Sequence, residues 1–137
     1  MNRSKEESMI QRGVIEWRDR LMYTRRGARI RWLHAIPNGG SRDKREAANM
    51  KREGVTAGIW DLHLPVPCPG VIGDQWHSLW IEVKRPASPG RRRGQLTTEQ
   101  KAFGQFVREH GNATFVGYCT QSIIDAIVRY LNGEWIQ

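Results

Sequence analysis

Two short segments, residues 61–66 and 79–84, constrain the fold more than any other part of the chain. In both, apolar side chains alternate with other residues at period two, which is typical of strands with one buried face. The loop between them contains Pro and Gly, so we expect the strands to pair antiparallel as a hairpin. Asp61, at the start of the first strand, would then lie beside Glu82, on the face opposite the core.

Two acids and a lysine on one face of a strand pair indicate a metal site. Adjacent carboxylates repel each other unless a cation joins them, and Mg²⁺ or Mn²⁺ prefers oxygen ligands of this kind. Lys84 follows Glu82 by two residues and therefore points to the same face. Its amine could orient or deprotonate a nucleophilic water. The simpler interpretation is a surface ion pair between Glu82 and Lys84, but the acid at position 61 favours the metal site.

The rest of the chain alternates predicted helices with predicted strands. Ser4 and Glu7 have the spacing of a capping box, and an apolar stripe at helical period follows as far as Leu21. The other predicted elements are a strand at 30–36, a helix at 43–53, the two strands above, a helix at 97–110, a strand at 113–119 and a helix at 122–131. This order predicts an α/β fold, with a mixed sheet flanked by helices, in a single domain over residues 1–137.

The charge of the chain favours a nucleic-acid partner. Twenty-two Lys and Arg against fourteen Asp and Glu give a net charge of +8, and the isoelectric point is near 10.2. A small protein this basic usually binds a polyanion, and no predicted helix combines a basic face with the strongly apolar face that membrane surfaces require. The polar first ten residues do not resemble a signal peptide, and two cysteines are too few for a disulfide framework. We therefore expect a cytoplasmic protein.

Several segments together resemble a known nuclease family. Gly58-Ile59-Trp60-Asp61, followed after a loop by Ile81-Glu82-Val83-Lys84, resembles the PD-(D/E)xK nuclease signature, although Trp60 replaces the usual proline. More closely, four segments in order resemble the VRR-NUC (virus-type replication-repair nuclease) family: residues 34–42, 54–58, 77–84 and 96–100. The resemblance spans nearly the whole chain, and it implies a restriction-endonuclease-like core.

The resemblance also implies an activity and a ligand set. Family members are Mg²⁺- or Mn²⁺-dependent endonucleases that cleave structured DNA, and stand-alone members of this size resemble homodimeric Holliday-junction resolvases of phages and bacteria. By this likeness Asp61, Glu82 and the backbone carbonyl of Val83 would hold the metal. Lys84 would lie at the nucleophilic water.

Two outer residues, Glu7 and Gln100, have both a structural and a catalytic interpretation. Glu7 resembles the acid of the family's first helix, which contacts the metal directly or through water, with Glu6 as a rival. Gln100 resembles a glutamine near the catalytic lysine. Each also has the spacing of a capping box, Glu7 with Ser4 and Gln100 with Thr97. For both residues the two interpretations remain open.

Two loops are candidates for DNA contact. A turn containing Asn38, Gly39 and Gly40 could hold a phosphate with its backbone N–H groups, and Arg42 would add charge. The run Arg91-Arg92-Arg93 is predicted to be a solvated loop that contacts the DNA backbone without distinguishing sequence. His34 is more often a packed histidine than a catalytic one.

These features favour a structure-selective DNA endonuclease of the Holliday-junction-resolvase kind. The alternatives are a basic DNA-binding module that does not cut, a flap or single-strand nuclease, and a restriction-type enzyme, for which the chain has little room. A zinc site from His63, Cys68 and His77 is not expected, because the spacing is irregular and no fourth ligand is near.

Overall fold

A computed structural model describes residues 4–37 and 43–137. Within these ranges the chain forms four helices and six short strands. In chain order they are α1 (Lys5–Leu21), β1 (His34–Ala35), α2 (Lys44–Arg52), β2 (Leu62–Leu64), β3 (Cys68–Pro69), β4 (Asp74–Trp76), β5 (Leu79–Val83), α3 (Thr98–Glu109), β6 (Ala113–Gly117) and α4 (Thr120–Leu131). No helix in the described ranges is long and apolar enough to cross a membrane.

The main sheet has the strand order β1-β2-β5-β6 and is mixed. β1, β2 and β5 pair antiparallel, whereas β5 and β6 are parallel and joined by α3. The predicted α/β class and the predicted mixed sheet with flanking helices are therefore confirmed. The loop predicted between β2 and β5 contains a separate two-stranded hairpin, β3–β4, which the sequence pattern did not indicate.

The two faces of the sheet have different partners. Leu62, Leu64, Leu79 and Ile81 are fully buried on one face, in a core that α1 and α4 complete. α1 and α4 approach closely at Gly13, where an added Cβ would lie only 2.7 Å from the Thr120 hydroxyl oxygen. α3 covers the other face, on which Asp61, Glu82 and Lys84 lie.

The predicted strand at 30–36 is wrong over its first half, because only His34–Ala35 pair as β1. Before them the chain forms consecutive turns, in which the N–H groups of Gly27, Ile30 and Leu33 each donate to the carbonyl three residues earlier. Ile30 and Leu33 are both buried, so their spacing of three reflects turns that return to the core at each step. Gly27 permits this path, since a Cβ there would collide with the Leu21 carbonyl oxygen.

Candidate active site

Strand register places Asp61 beside Glu82. Leu62 pairs with Ile81, so the next residues outward, Asp61 and Glu82, lie opposite each other where the β2–β5 ladder ends. The Asp61 N–H donates to Glu82 Oε1 at 3.2 Å, and the Val83 N–H donates to Asp61 Oδ2 at 2.9 Å. Each carboxyl group therefore accepts an N–H from the opposite strand. The predicted juxtaposition of the two acids is present in the structure.

Glu82 lies at the centre of the cluster. Its Oε2 atom accepts a hydrogen bond from Gln100 Nε2 at 2.8 Å and lies 3.4 Å from Lys84 Nζ. Glu82 is 3% exposed, and Asp61 and Lys84 are 7% and 8% exposed. Burial, together with the neighbouring Asp61 carboxylate, raises the pKa of Glu82 to about 8, and Lys84 opposes this shift. The Glu82–Lys84 pair is thus buried, which contradicts the simpler interpretation of a surface ion pair.

Gln100 takes part in the predicted capping box and also contacts Glu82. Its side-chain oxygen accepts from the Thr97 N–H at 2.9 Å, and Thr97 Oγ1 accepts from the Gln100 N–H, which completes a capping box at the start of α3. Its amide nitrogen donates to Glu82. A glutamine offers an acceptor and donors at one end, so a single side chain serves the helix cap and the site together.

Trp60 is the residue whose position in the site sequence reasoning did not predict. It stands where the PD-(D/E)xK signature has a proline, and the structure buries it against α3 at 1% exposure. Its indole N–H donates to the Gln100 carbonyl oxygen at 2.9 Å. The ring lies so close to Gly104 that an added Cβ would be 2.6 Å from Trp60 Cζ2. Trp60 therefore connects the strand that carries Asp61 to the helix that carries Gln100.

Glu7 approaches the site from α1. Its own N–H donates to Ser4 Oγ, and its side-chain Oε2 accepts from the Arg85 N–H at 3.0 Å, directly after Lys84. Its rival Glu6 instead forms an exposed ion pair with Arg91 at 3.2 Å. The geometry therefore distinguishes the two acids: Glu7 points to the end of β5 and Glu6 to the arginine loop.

The other predicted site residues lie farther from the acids or outside the described ranges. Asn38, Gly39, Gly40 and Arg42 fall in the undescribed segment, so their predicted phosphate contact stays a prediction. The run of arginines at 91–93 is exposed, as expected. Within it, the guanidinium of Arg93 stacks over the Tyr118 ring at 4.8 Å.

Histidines and aromatic rings line the same face beyond Asp61. His34 is exposed at the edge of the sheet, and its ring meets His63 edge-on at a centroid distance of 5.1 Å. His63 stacks on Trp80 at 4.0 Å, and Trp80 meets Phe103 of α3. Burial lowers the pKa of His63 to about 4, with a contribution from His34, so His63 is neutral at pH 7. Trp80 is half-buried and packs between His63 and Phe103.

The donor set fits a small hard cation. Burial and the adjoining Asp61 carboxylate raise the pKa of Glu82, which is the electrostatic situation that a divalent cation relieves. Mg²⁺ commonly binds through one or two carboxylates and keeps several waters. No group of three or more His, Cys, Asp or Glu suited to a metal occurs in the described part of the chain. Glu7, whose carboxylate accepts a hydrogen bond from the Arg85 N–H, lies outside the Asp61–Glu82 pair and would contact a metal from there.

The fold, with two acids and a lysine at the end of an antiparallel strand pair, is consistent with a nuclease core of the PD-(D/E)xK type. A solved structure described as a "VRR_NUC domain protein" is similar to this chain, with a TM-score of 0.70 and 25% sequence identity over 94% of this chain and 90% of that one. The predicted resemblance to the VRR-NUC family is thereby confirmed, and it supports a nuclease. No family model and no curated protein matches the chain.

Proposed function

We propose that this protein is a Mg²⁺- or Mn²⁺-dependent endonuclease that cleaves DNA according to its structure, in the manner of a Holliday-junction resolvase. The observation that supports the proposal best is the buried Asp61–Glu82 pair with Lys84 Nζ at 3.4 Å from Glu82. Burying two acids and a lysine in one cluster destabilises the folded state, because each charge loses its hydration. A cluster of this kind is therefore more typical of a functional site than of a structural one. The similarity to a VRR_NUC domain protein points to the same chemistry.

In this proposal each side chain has a defined task. Asp61, Glu82 and the Val83 carbonyl hold the metal, which when bound stabilises charge on the phosphate and lowers the pKa of an attacking water. Lys84, on the same face, orients that water and offsets the charge that develops on the phosphate. Gln100 fixes the Glu82 carboxylate through the 2.8 Å hydrogen bond.

Glu7 has a supporting task. Its hydrogen bond to the Arg85 N–H holds the chain directly after Lys84. The carboxylate also adds negative charge on that side of the site. We propose that Glu7 contributes to the metal site from this position, through water or directly.

DNA contact is proposed to rest on phosphates rather than bases. None of the residues of α2 is buried, and its basic side chains are exposed: Lys44, Arg45, Lys51 and Arg52. The exposed run at 91–93 adds charge beside α1, and the segment 38–42 precedes α2 in the chain. Basic side chains spread over separate surfaces favour recognition of shape over recognition of sequence.

A homodimer is proposed because resolution of a four-way junction requires two symmetric cuts. The apolar residues of α4 do not supply an evident interface, since Ile123 and Ile127 are fully buried against the sheet. Val128 on the same helix is 43% exposed. Light scattering at micromolar concentration tests this point. A monomeric mass would contradict the resolvase version and leave a flap or single-strand nuclease.

Cleavage of a panel of branched, flapped and linear DNAs, with Mg²⁺, Mn²⁺ or EDTA, tests the proposal directly. Asp61→Ala, Glu82→Ala and Lys84→Ala should each reduce cutting by orders of magnitude, while DNA binding persists through many phosphate contacts. Asp125→Ala, which removes an exposed carboxylate on α4, is the matched control and should cut normally. Full cutting in EDTA, or by the Lys84→Ala protein, would refute the mechanism.

A further inference from the structure

Two large aromatic rings are exposed side by side at the β1 edge of the sheet. Tyr23 is 76% exposed and Trp32 is 64% exposed. The guanidinium of Arg31 lies 5.3 Å from the centroid of the Tyr23 ring and 4.9 Å from that of Trp32. We call these three residues the Tyr23–Trp32 platform. It borders a groove of about 550 Å³ whose wall continues through Met22, His34 and Pro65.

Other residues, and not the side chains of the platform, fix the chain segment that carries the platform. Ile30 and Leu33 anchor the segment in the core, and the consecutive turns fix its backbone. Arg18 of α1 adds a hydrogen bond from Nη1 to the Leu33 carbonyl oxygen at 2.6 Å. Single exposed aromatic residues are common, but two exposed rings in contact with one guanidinium, on a segment anchored in the core, offer several π faces for stacking.

The charge around the platform indicates the kind of ligand. Residues 20–33 contain Arg20, Arg25, Arg26, Arg29 and Arg31 and no acidic residue. Arg25 and Arg26 are exposed. Neither forms a hydrogen bond or ion pair with another described residue. A polyanion that also carries flat rings matches both properties of this surface, because bases stack on aromatic and guanidinium planes and arginines neutralise phosphates.

The groove beside the platform extends along β2 towards Asp61 of the candidate active site. Asp61, His63 and Pro65 alternate along one face of β2 and its extension, and Pro65 lines the groove. At about 3.3 Å per residue, Pro65 is about 13 Å from Asp61. His34, which also lines the groove, contacts His63, and the Ile36 N–H donates to the Asp61 carbonyl oxygen at 2.8 Å. One DNA strand could therefore contact both places.

We propose that the Tyr23–Trp32 platform binds unpaired nucleotides of the DNA strand near the cleavage point. Bases in a duplex already stack on each other, so the platform selects a single-stranded tail or an opened branch over a continuous duplex. This inference rests on the proposed nuclease function, because it names the part of a branched DNA that a second site on the same protein holds.

Binding in EDTA tests the inference without any need for cleavage. Fluorescence anisotropy would compare the full chain with a blunt hairpin duplex, the same hairpin with a short oligothymidine tail, and the tail strand by itself. Tyr23→Ala/Trp32→Ala should weaken binding of the tailed and single-stranded DNAs about tenfold or more and leave the blunt hairpin nearly unchanged. Tyr23→Phe/Trp32→Phe should retain the preference for tails, because the rings remain.

Controls separate this effect from misfolding and from general loss of an aromatic residue. Phe106 on α3, which packs against β6 at the sheet edge farthest from β1, is 59% exposed, so Phe106→Ala is the matched control and should bind tails normally. Thermal unfolding would verify that the double alanine variant is folded. Unchanged tail binding, or equal loss on tailed and blunt DNA, would overturn the inference. The inference would also be overturned if light scattering showed a dimer for the wild type and a monomer for Tyr23→Ala/Trp32→Ala, since the surface would then be an interface between copies.

The same set of proteins distinguishes this inference from the proposed function. Asp61→Ala should abolish cutting and retain the preference for tailed DNA. If Asp61→Ala cuts normally, the proposed mechanism fails whatever the binding data show. If cutting depends on Asp61 but tail binding does not depend on Tyr23 and Trp32, only the platform is refuted.

Discussion

Replacing Gly104 by alanine should destabilise this protein, although the same change in most helices is stabilising. Gly104 lies inside α3, where alanine normally adds about 1 kcal/mol of stability. Here the added Cβ would lie 2.6 Å from Cζ2 and 3.2 Å from Cη2 of the buried Trp60 ring. Carbon atoms in contact prefer about 3.5–4.0 Å, so the overlap is about 1 Å.

The net effect follows from two opposing terms. Overpacking of this kind costs about 1–3 kcal/mol, because neither a fully buried indole nor a helix can move freely. Subtracting the helix-propensity gain leaves a destabilisation of roughly 1 kcal/mol. Any shift of α3 also moves Gln100, whose carbonyl accepts from Trp60 and whose side chain donates to Glu82. DNA cleavage by Gly104→Ala should therefore fall as well.

Urea unfolding in EDTA measures the change in the free energy of unfolding. Ala102→Gly, at an exposed position of the same helix, is the reference and should cost about 1 kcal/mol from propensity. Trp60→Phe shortens the ring beneath Gly104, so Trp60→Phe/Gly104→Ala should be more stable than the sum of the single changes predicts. If Gly104→Ala is more stable than the wild type, the packing argument is wrong.

Three further predictions concern charge and positioning. In EDTA, the pKa of Glu82, raised to about 8 from its usual value near 4.5, means that the folded protein holds a proton that the unfolded chain loses. Stability should therefore fall as pH rises from about 5 to 8, by at most about 1.4 kcal/mol per unit, and Glu82→Gln or added Mg²⁺ should remove this slope in chemical unfolding. Gln100→Ala should lower the cleavage rate more than DNA affinity, and equal activity to the wild type would remove Gln100 from the site. Replacing Arg91, Arg92 and Arg93 together by alanine should make the slope of log affinity against log salt shallower by up to about 3 and weaken all DNAs alike, whereas a change confined to one sequence would support the restriction-type alternative.

The central part of the site could be predicted from the sequence because it depends on local geometry. In a strand, side-chain direction alternates, so Glu82 and Lys84 must share a face whatever surrounds them. The turn residues between the two strands indicated antiparallel pairing, which placed Asp61 opposite Glu82. The resemblance to the VRR-NUC family added expectations for Glu7 and Gln100 that local patterns left open.

The features that could not be predicted from the sequence depend on contacts between residues that are distant in the chain. Residues 30 and 33 would lie on opposite faces of a strand but on one side of consecutive turns, and only the core that receives both side chains decides for the turns. The burial of Trp60 likewise depends on α3, which packs on the ring and makes room for it at Gly104.

The tertiary structure also decided which charges meet and which rings remain exposed. Glu6 and Glu7 are neighbours on one helix, and only the position of α1 beside the end of β5 directs Glu7 to Arg85 and leaves Glu6 with Arg91. Composition and charge favoured a polyanionic partner, but they did not indicate that Trp32 would stay exposed at the β1 edge of the sheet. Side-chain direction in a strand is set by the backbone of that strand, whereas the burial of one particular ring is set by the elements that pack around it.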